Sequence, residues 1–354
     1  MVSRSNLAGT AEADLFTPLL PIQILKRPQK SFRQNLSVTA VLKLDDVAAY
    51  NCSACQGNWS VSSPLVVPSP SCASIQSAIN CAPDAHQLSD GRLAIHVKPG
   101  VYREKLTVGG TKGPLRIQGL SPAVDGVVLG WNDADAPPGA GPAGCRGASR
   151  TQDNAGWDWN SQTLRVESDD FVLANVTVLT DACGFSGGAR NFALMVLADR
   201  AELINCHVYG QHDTFFTGQD RVFVKDSYIN GSVVFLFGSG SAVFDGCEII
   251  ANGGHVTAHK GSATDQDGNS ESCSTYLIRN SRLPASRHKT AADLGRAWRS
   301  RATVVYENCW LDEHISRKAG ARHCTAAFRP ALRVQTSRLL SLTRPAQAPI
   351  RADA

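Results

Sequence analysis

The side chains of this 354-residue chain that could do chemistry gather between residues 190 and 300. Gln211-His212-Asp213 sets an amide, an imidazole and a carboxyl in a row. A carboxyl and an imidazole can both shuttle protons, the imidazole near neutral pH. His212 beside Asp213 therefore invites a water-activating pair. Strand neighbours, however, point to opposite faces, whereas a base is normally oriented by a carboxylate lying across from it. Read alone, Asp213 is a turn-capping residue. Asp226 and Asp245 fall in repeated segments and read as structural, while Asp220 sits in the loop Gly218-Gln-Asp-Arg221. His255 and His259 occur in Gly254-His-Val-Thr-Ala-His259. They lack metal-ligand spacing on a recognisable element. Arg296 and Trp298, taken alone, read as a surface cation and a half-buried aromatic.

The elements that must position these groups are short strands. Leu93-Ala-Ile-His-Val97 alternates and runs into the turn Pro99-Gly100; Leu115 to Gly119 and Val124 to Leu129 continue the pattern. A short helix is expected in Ala73 to Asn80, where Ile75, Ala78 and Ile79 have helical spacing. More telling is an internal echo. Leu203-Ile-Asn-Cys-His-Val208, Val224-Lys-Asp-Ser-Tyr-Ile229, Phe244-Asp-Gly-Cys-Glu-Ile249, Ile278-Arg-Asn-Ser-Arg-Leu283 and Tyr306-Glu-Asn-Cys-Trp-Leu311 share one design. Cys206, Ser227 and Cys247 are spaced by 21 and 20 residues. Strand repeats of about 20 residues suit a β-solenoid, in which like residues stack from turn to turn. Cys206 and Cys247 then read as buried ladder residues rather than nucleophiles or a disulfide pair. A two-sheet sandwich is the alternative, but its Asn-Gly hairpins are mostly missing.

Composition bounds the rest. Hydrophobic residues make up 43% and charged residues 19%, ordinary for a globular protein. The formal charge of +4 arises in the tail, where eight Lys and Arg follow Ile315 against Asp353 alone. The remainder holds 27 basic and 30 acidic residues, so charge gives no argument for nucleic acid. No apolar run is long enough for a membrane span, and no secretory signal is read before Leu25, since Pro18 and Pro21 break the first apolar stretch. Five Asn-X-Ser/Thr triplets, at Asn35, Asn51, Asn58, Asn175 and Asn230, fit secretion. The eleven cysteines leave at least one unpaired within the chain. Cys72–Cys81 and a bridge involving Cys52 or Cys55 are both open. Residues 1–70 read as a leader and Pro/Ser-rich linker, 71–315 as the structured domain and 316–354 as an atypical basic tail.

Several segments, in collinear order, together resemble the pectinesterase (pectin methylesterase) family. They are Ala73-Ser-Ile-Gln-Ser-Ala-Ile79, His96-Val-Lys-Pro-Gly-Val-Tyr-Arg-Glu104, Gln162 to Val178, Gln211-His-Asp-Thr-Phe215, Gly231-Ser-Val-Val-Phe-Leu-Phe-Gly238 and Leu294-Gly-Arg-Ala-Trp298. The resemblance implies an all-β fold, a right-handed parallel β-helix with a short N-terminal helix. It implies a monomeric extracellular or cell-wall protein acting on methyl-esterified homogalacturonan (pectin), without metal or organic cofactor. It makes Asp213 the general acid, Arg296 the cation that aligns the nucleophile, and Phe215 and Trp298 sugar-contacting aromatics. Arg190 and His212 fall where two oxyanion-stabilising Gln residues are expected, with Gln211 one residue early; His259 falls on another Gln position. Val234 occupies the position of the nucleophilic Asp. Alternation in Val233 to Phe237 predicts Val233, Phe235 and Phe237 inward and Val234 and Leu236 toward the groove. Valine cannot attack a carbonyl or pair with Arg296. Two functions are therefore carried forward, carboxylate-based ester hydrolysis and galacturonan binding without it. A β-helical lyase or polygalacturonase fits the architecture alone, because neither acidic Ca²⁺ ligands nor a carboxylate cluster is evident.

Overall fold

The computed structural model describes Cys52 and residues 63–85, 92–131, 133–134, 146–147, 161–180, 191–261, 274–286, 290–298 and 302–316. Arg190, Cys55 and the tail beyond residue 316 lie outside these residues. The repeating strands coil into three parallel sheets. The first holds nine strands, from Leu65–Val67 through Leu93–Val97 to Val304–Glu307. The second holds eight, from Gly100–Tyr102 to Trp310–Leu311. The third also holds eight, from Leu106–Val108 through Phe215–Thr217, Leu236–Gly238, Gly254–His259 and Ala292–Ala297 to Ile315–Ser316. Each turn of chain gives one strand to each sheet, the arrangement of a parallel β-helix.

The register explains the echo in the sequence. Ile95, Ile117, Leu173, Leu203, Val224, Phe244, Ile278 and Tyr306 stack on one another through the first sheet, and all are buried. Each such side chain contributes roughly 1.5–3 kcal/mol by leaving water. Two residues after most of them the chain turns through the left-handed region, at Asn175, Asn205, Asp226, Gly246, Asn280 and Asn308. Asn, Asp and Gly tolerate that conformation best, which is why they recur there. Their side chains also bond along the stack: Asn205 Nδ2 donates to Asn175 Oδ1 at 2.9 Å and Asn308 Nδ2 to Asn280 Oδ1 at 2.8 Å. The next position is the inward corner. There the Cys206 N–H donates to Ser227 Oγ and the Cys247 N–H to Ser281 Oγ, each at 3.0 Å. Cys206 and Cys247 are buried thiols, as the ladder reading expected, and burial pushes both up to about 12.

The first turn closes one end. The helix spans Ile75–Cys81, with the Ser74 hydroxyl accepting from the Ser77 N–H. The Glu104 carboxylate accepts from the Ile75 and Gln76 N–H groups at 3.1 and 2.9 Å. The Pro/Ser-rich stretch does not stay outside the fold, since Leu65–Val67 pairs with Leu93–Val97 at the edge of the first sheet. A disulfide joins Cys52 to Cys72, which replaces the Cys72–Cys81 pairing. No helix among the described residues is long and apolar enough to cross a membrane.

Candidate active site

Two successive turns of chain approach the third sheet side by side. His212 bridges to Val233 in parallel register, and the Asp213 N–H donates to the Val233 carbonyl at 3.1 Å. Phe215 then pairs with Leu236 and Thr217 with Gly238. Asp213 and Val234 are thus equivalent positions on adjacent rungs, and both are left-handed, with φ of 60° and 45°. Gly238 holds the rungs close: its φ is 143°, and a Cβ there would lie 1.7 Å from the Thr217 carbonyl oxygen.

Left-handed turns break strict alternation, so the expected facing of Val233 to Phe237 needs correction. Val234 does face the groove and Phe235 the interior. Val233, expected inward, is 40% exposed. Phe237, also expected inward, lies on the groove side with Phe192, Met195, Phe216, Val234 and Ala258. Leu236, expected outward, belongs to the interior core. The strand begins only at Leu236, so the period of two restarts there. The same shift corrects Phe215. It is fully buried in the core against Phe244 and cannot reach a sugar, while Phe216 takes the groove side.

His212, Asp213, Val234, Phe237, Ala258, Arg296 and Trp298 line a shallow, open cleft. Asp213 and Val234 form its floor at 4% and 5% exposure. Arg296 reaches it from the strand Ala292–Ala297, where it stacks beside Ala258. It is exposed and forms no ion pair with a carboxylate among the described residues. Trp298 is half-buried, with its ring 5.9 Å from Phe237 and under the Lys260 ammonium. Phe192 stacks on Phe237 at 5.8 Å, and the Phe216 ring lies tilted against it at 5.0 Å. This apolar half of the groove escaped sequence reasoning. Its signal was available in the rung register, since Met195, Phe216, Phe237 and Ala258 occupy one column.

The imidazole of His212 changes most between sequence and structure. Strand alternation would part it from Asp213, yet its Nε2 lies 3.4 Å from Asp213 Oδ1. The left-handed turn at Asp213 folds the carboxyl back toward its neighbour. Gln211 is half-buried, accepts from the Ser232 hydroxyl at 3.2 Å and stays out of the cleft lining. Asp220 is exposed, on the turn near Asp199 and Asp169, with its pKa raised by partial burial and these like charges. Asp245 is tied to Arg279 and Asn280, which hold its carboxyl below the usual range. His259 is structural: it is fully buried, stacks 4.4 Å from Tyr276, and accepts from the Thr303 N–H at Nδ1. His255 pairs instead with Asp293 at 3.6 Å, one rung beyond Val234. No group of three His, Cys, Asp or Glu able to hold a metal occurs among the described residues.

Fold and cleft define a class, the parallel β-helix proteins that carry an acid and a guanidinium in a groove on one sheet. The family model described as Pectinesterase matches residues 139–328, more than half of the chain. This chain belongs to the pectinesterase family. It is 29% identical over 243 residues to Pectinesterase 31 of Arabidopsis thaliana, covering 68% of this chain and 70% of the relative. Probable pectinesterase A of Aspergillus niger is 29% identical over 250 residues, covering 68% of each. Among solved structures, the pectin methylesterase of Aspergillus niger superposes with a TM-score of 0.59 at 26% identity, covering 76% of this chain and 84% of that one. Carrot pectin methylesterase gives the same TM-score at 22% identity, covering 74% and 78%, a likeness of fold.

Proposed function

We propose that the cleft holds methyl-esterified galacturonan, in a secreted or wall-associated monomer, and that hydrolysis through a carboxylate nucleophile is closed to this chain. The observation that carries this reading is Val234. It occupies the nucleophile's place beside Asp213, and its side chain is turned into an apolar cluster with Phe237, Phe216 and Ala258. A valine there offers no electron pair to a carbonyl. What remains suits a polyuronate. Arg296 supplies an exposed guanidinium for sugar carboxylates, and Trp298 beside Phe237 supplies aromatic faces for pyranose rings. In this reading Arg296 is the cation that meets the polymer, and Asp213 lies on the floor of the same cleft.

The test is equilibrium binding to galacturonans of graded methyl esterification, alongside methanol release from the esterified polymer. Saturable binding that weakens at least tenfold in Arg296→Ala is expected, with methanol release far below that of a pectinesterase carrying the aspartate. Absence of binding overturns the reading of the cleft. Turnover at an ordinary pectinesterase rate overturns the closed route.

A further inference from the structure

We infer that His212 is a general base that activates water for attack on the bound ester, oriented by Asp213, so that the cleft retains a slow, nucleophile-independent hydrolysis. The inference rests on the reading of the cleft as a galacturonan methyl ester site. Three features carry it. His212 Nε2 and Asp213 Oδ1 are 3.4 Å apart, with the carboxylate side chain 5% exposed and the imidazole 25% exposed. The pair thus runs from a buried anion to a solvent-reaching base, the order in which a carboxylate fixes a histidine's tautomer and supports its positive charge. Both side chains line the cleft that also holds Arg296. Val234, between this pair and the guanidinium side, leaves the floor apolar, so the pair faces no competing carboxylate at that position.

The step balances without another reagent than water. The water oxygen forms a bond to the ester carbonyl carbon while His212 takes one water proton. Arg296 faces the negative charge that gathers on the carbonyl oxygen. The carbon–oxygen bond to the methoxy group then breaks, and the proton held by His212 leaves with it as methanol. The product is the galacturonate carboxyl, whose own proton passes to solvent. In this route Asp213 is ionised and orients a base. In the carboxylate-nucleophile route it would be a protonated acid. The two assignments are mutually exclusive, which makes them separable.

The experiment uses the full chain and highly methyl-esterified galacturonan, with methanol as the readout and binding measured in parallel. Slow release above the no-enzyme rate is expected from the wild type. His212→Ala lowers it by about a hundredfold, the usual scale of general-base assistance, and added imidazole restores part of the loss. His212→Gln, close in size to the native side chain, lowers it equally and serves if the alanine variant misfolds. Asp213→Asn moves the low-pH limb of the rate to lower pH, because a neighbouring anion no longer favours the imidazolium. Among the described residues, the charged groups of the cleft that holds His212 are Asp213 on its own segment, Arg296 across the cleft and Lys260 over the Trp298 ring, with His255 and Asp293 on the rungs beyond Val233. Binding without any methanol release, or release unchanged in both His212 variants, overturns the inference and leaves the binding reading standing. An unmoved pH limb in Asp213→Asn overturns the orienting role. Failure to bind the polymer overturns both.

Discussion

The turn at Asp213 and the turn at Val234 share a backbone and differ in chemistry. They are neighbours in register, both left-handed and both almost fully buried. An aspartate visits that conformation readily, whereas a β-branched valine at φ 45° is held against its preference by roughly 1–2 kcal/mol. The conformation therefore belongs to the rung and not to the residue. It is imposed by hydrogen bonds on either side, Ser232 N–H to the Gln211 carbonyl at 2.8 Å and Phe215 N–H to the Phe235 carbonyl at 2.8 Å. Contacts with Phe237 and Ala258 help offset the strain. The paired turns thus do not require a carboxylate at position 234, because the core and the ladders that build them do not depend on that side chain.

The sharpest test of this comparison restores the chemistry. Val234→Asp places a carboxylate on a backbone with the left-handed geometry that Asp213 adopts one rung away, in the cleft that Arg296 also lines. Methanol release is expected to rise by about 10²-fold or more; no gain would show that the two turns differ in more than one side chain. A second test concerns stability. Val234→Asn exchanges lost apolar contact for relieved backbone strain and should shift unfolding free energy by less than about 1 kcal/mol. Val224→Asn, at a fully buried position of ordinary strand geometry, should cost about 3 kcal/mol or more. Equal losses in chemical denaturation would mean that Val234 is a conventional core residue. A third, smaller effect separates the groove from the interior. Trp298→Ala should weaken galacturonan binding by about tenfold, the scale of one lost aromatic contact.

An effect that is smallest near neutral pH, and grows to about 2 kcal/mol per residue by pH 5, sets the pH range for these comparisons. Burial depresses His207 and His259 to about 4. For a histidine with a lowered folded pKa, the unfolded chain takes up the proton first as pH falls. Stability is then level above about pH 7 and declines between about pH 6.5 and pH 4. Each residue costs only tenths of a kcal/mol at pH 6.5. Thermal unfolding followed from pH 7.5 to 5 checks the direction, and a rise in stability over that range would contradict it.

Much of the fold was legible because a β-helix writes its period into the chain. Cys206, Ser227 and Cys247 announced the rung, and their burial at the inward corner follows from it. The register then fixed which segments neighbour one another, so Asp213, Val234 and Arg296 met in one cleft as the motifs implied. Facing was less legible. Phe215 and Phe216 differ by one position and by nothing in residue type, yet one is core and the other groove. The assumed alternation ran through turns where φ changes sign, and at such turns the period of two does not carry across.

The sequence by itself determined the repeat, the β-solenoid it implies and the absence of a carboxylate at position 234, since these depend on residue type and spacing. Only the tertiary structure decided how His212 stands toward Asp213 and how Val234 packs against Phe237 and Ala258. Both turn on the left-handed geometry shared by Asp213 and Val234. Valine gives no local sign of adopting it, and the conformation is enforced by hydrogen bonds from the neighbouring rung, at least 20 residues away along the chain.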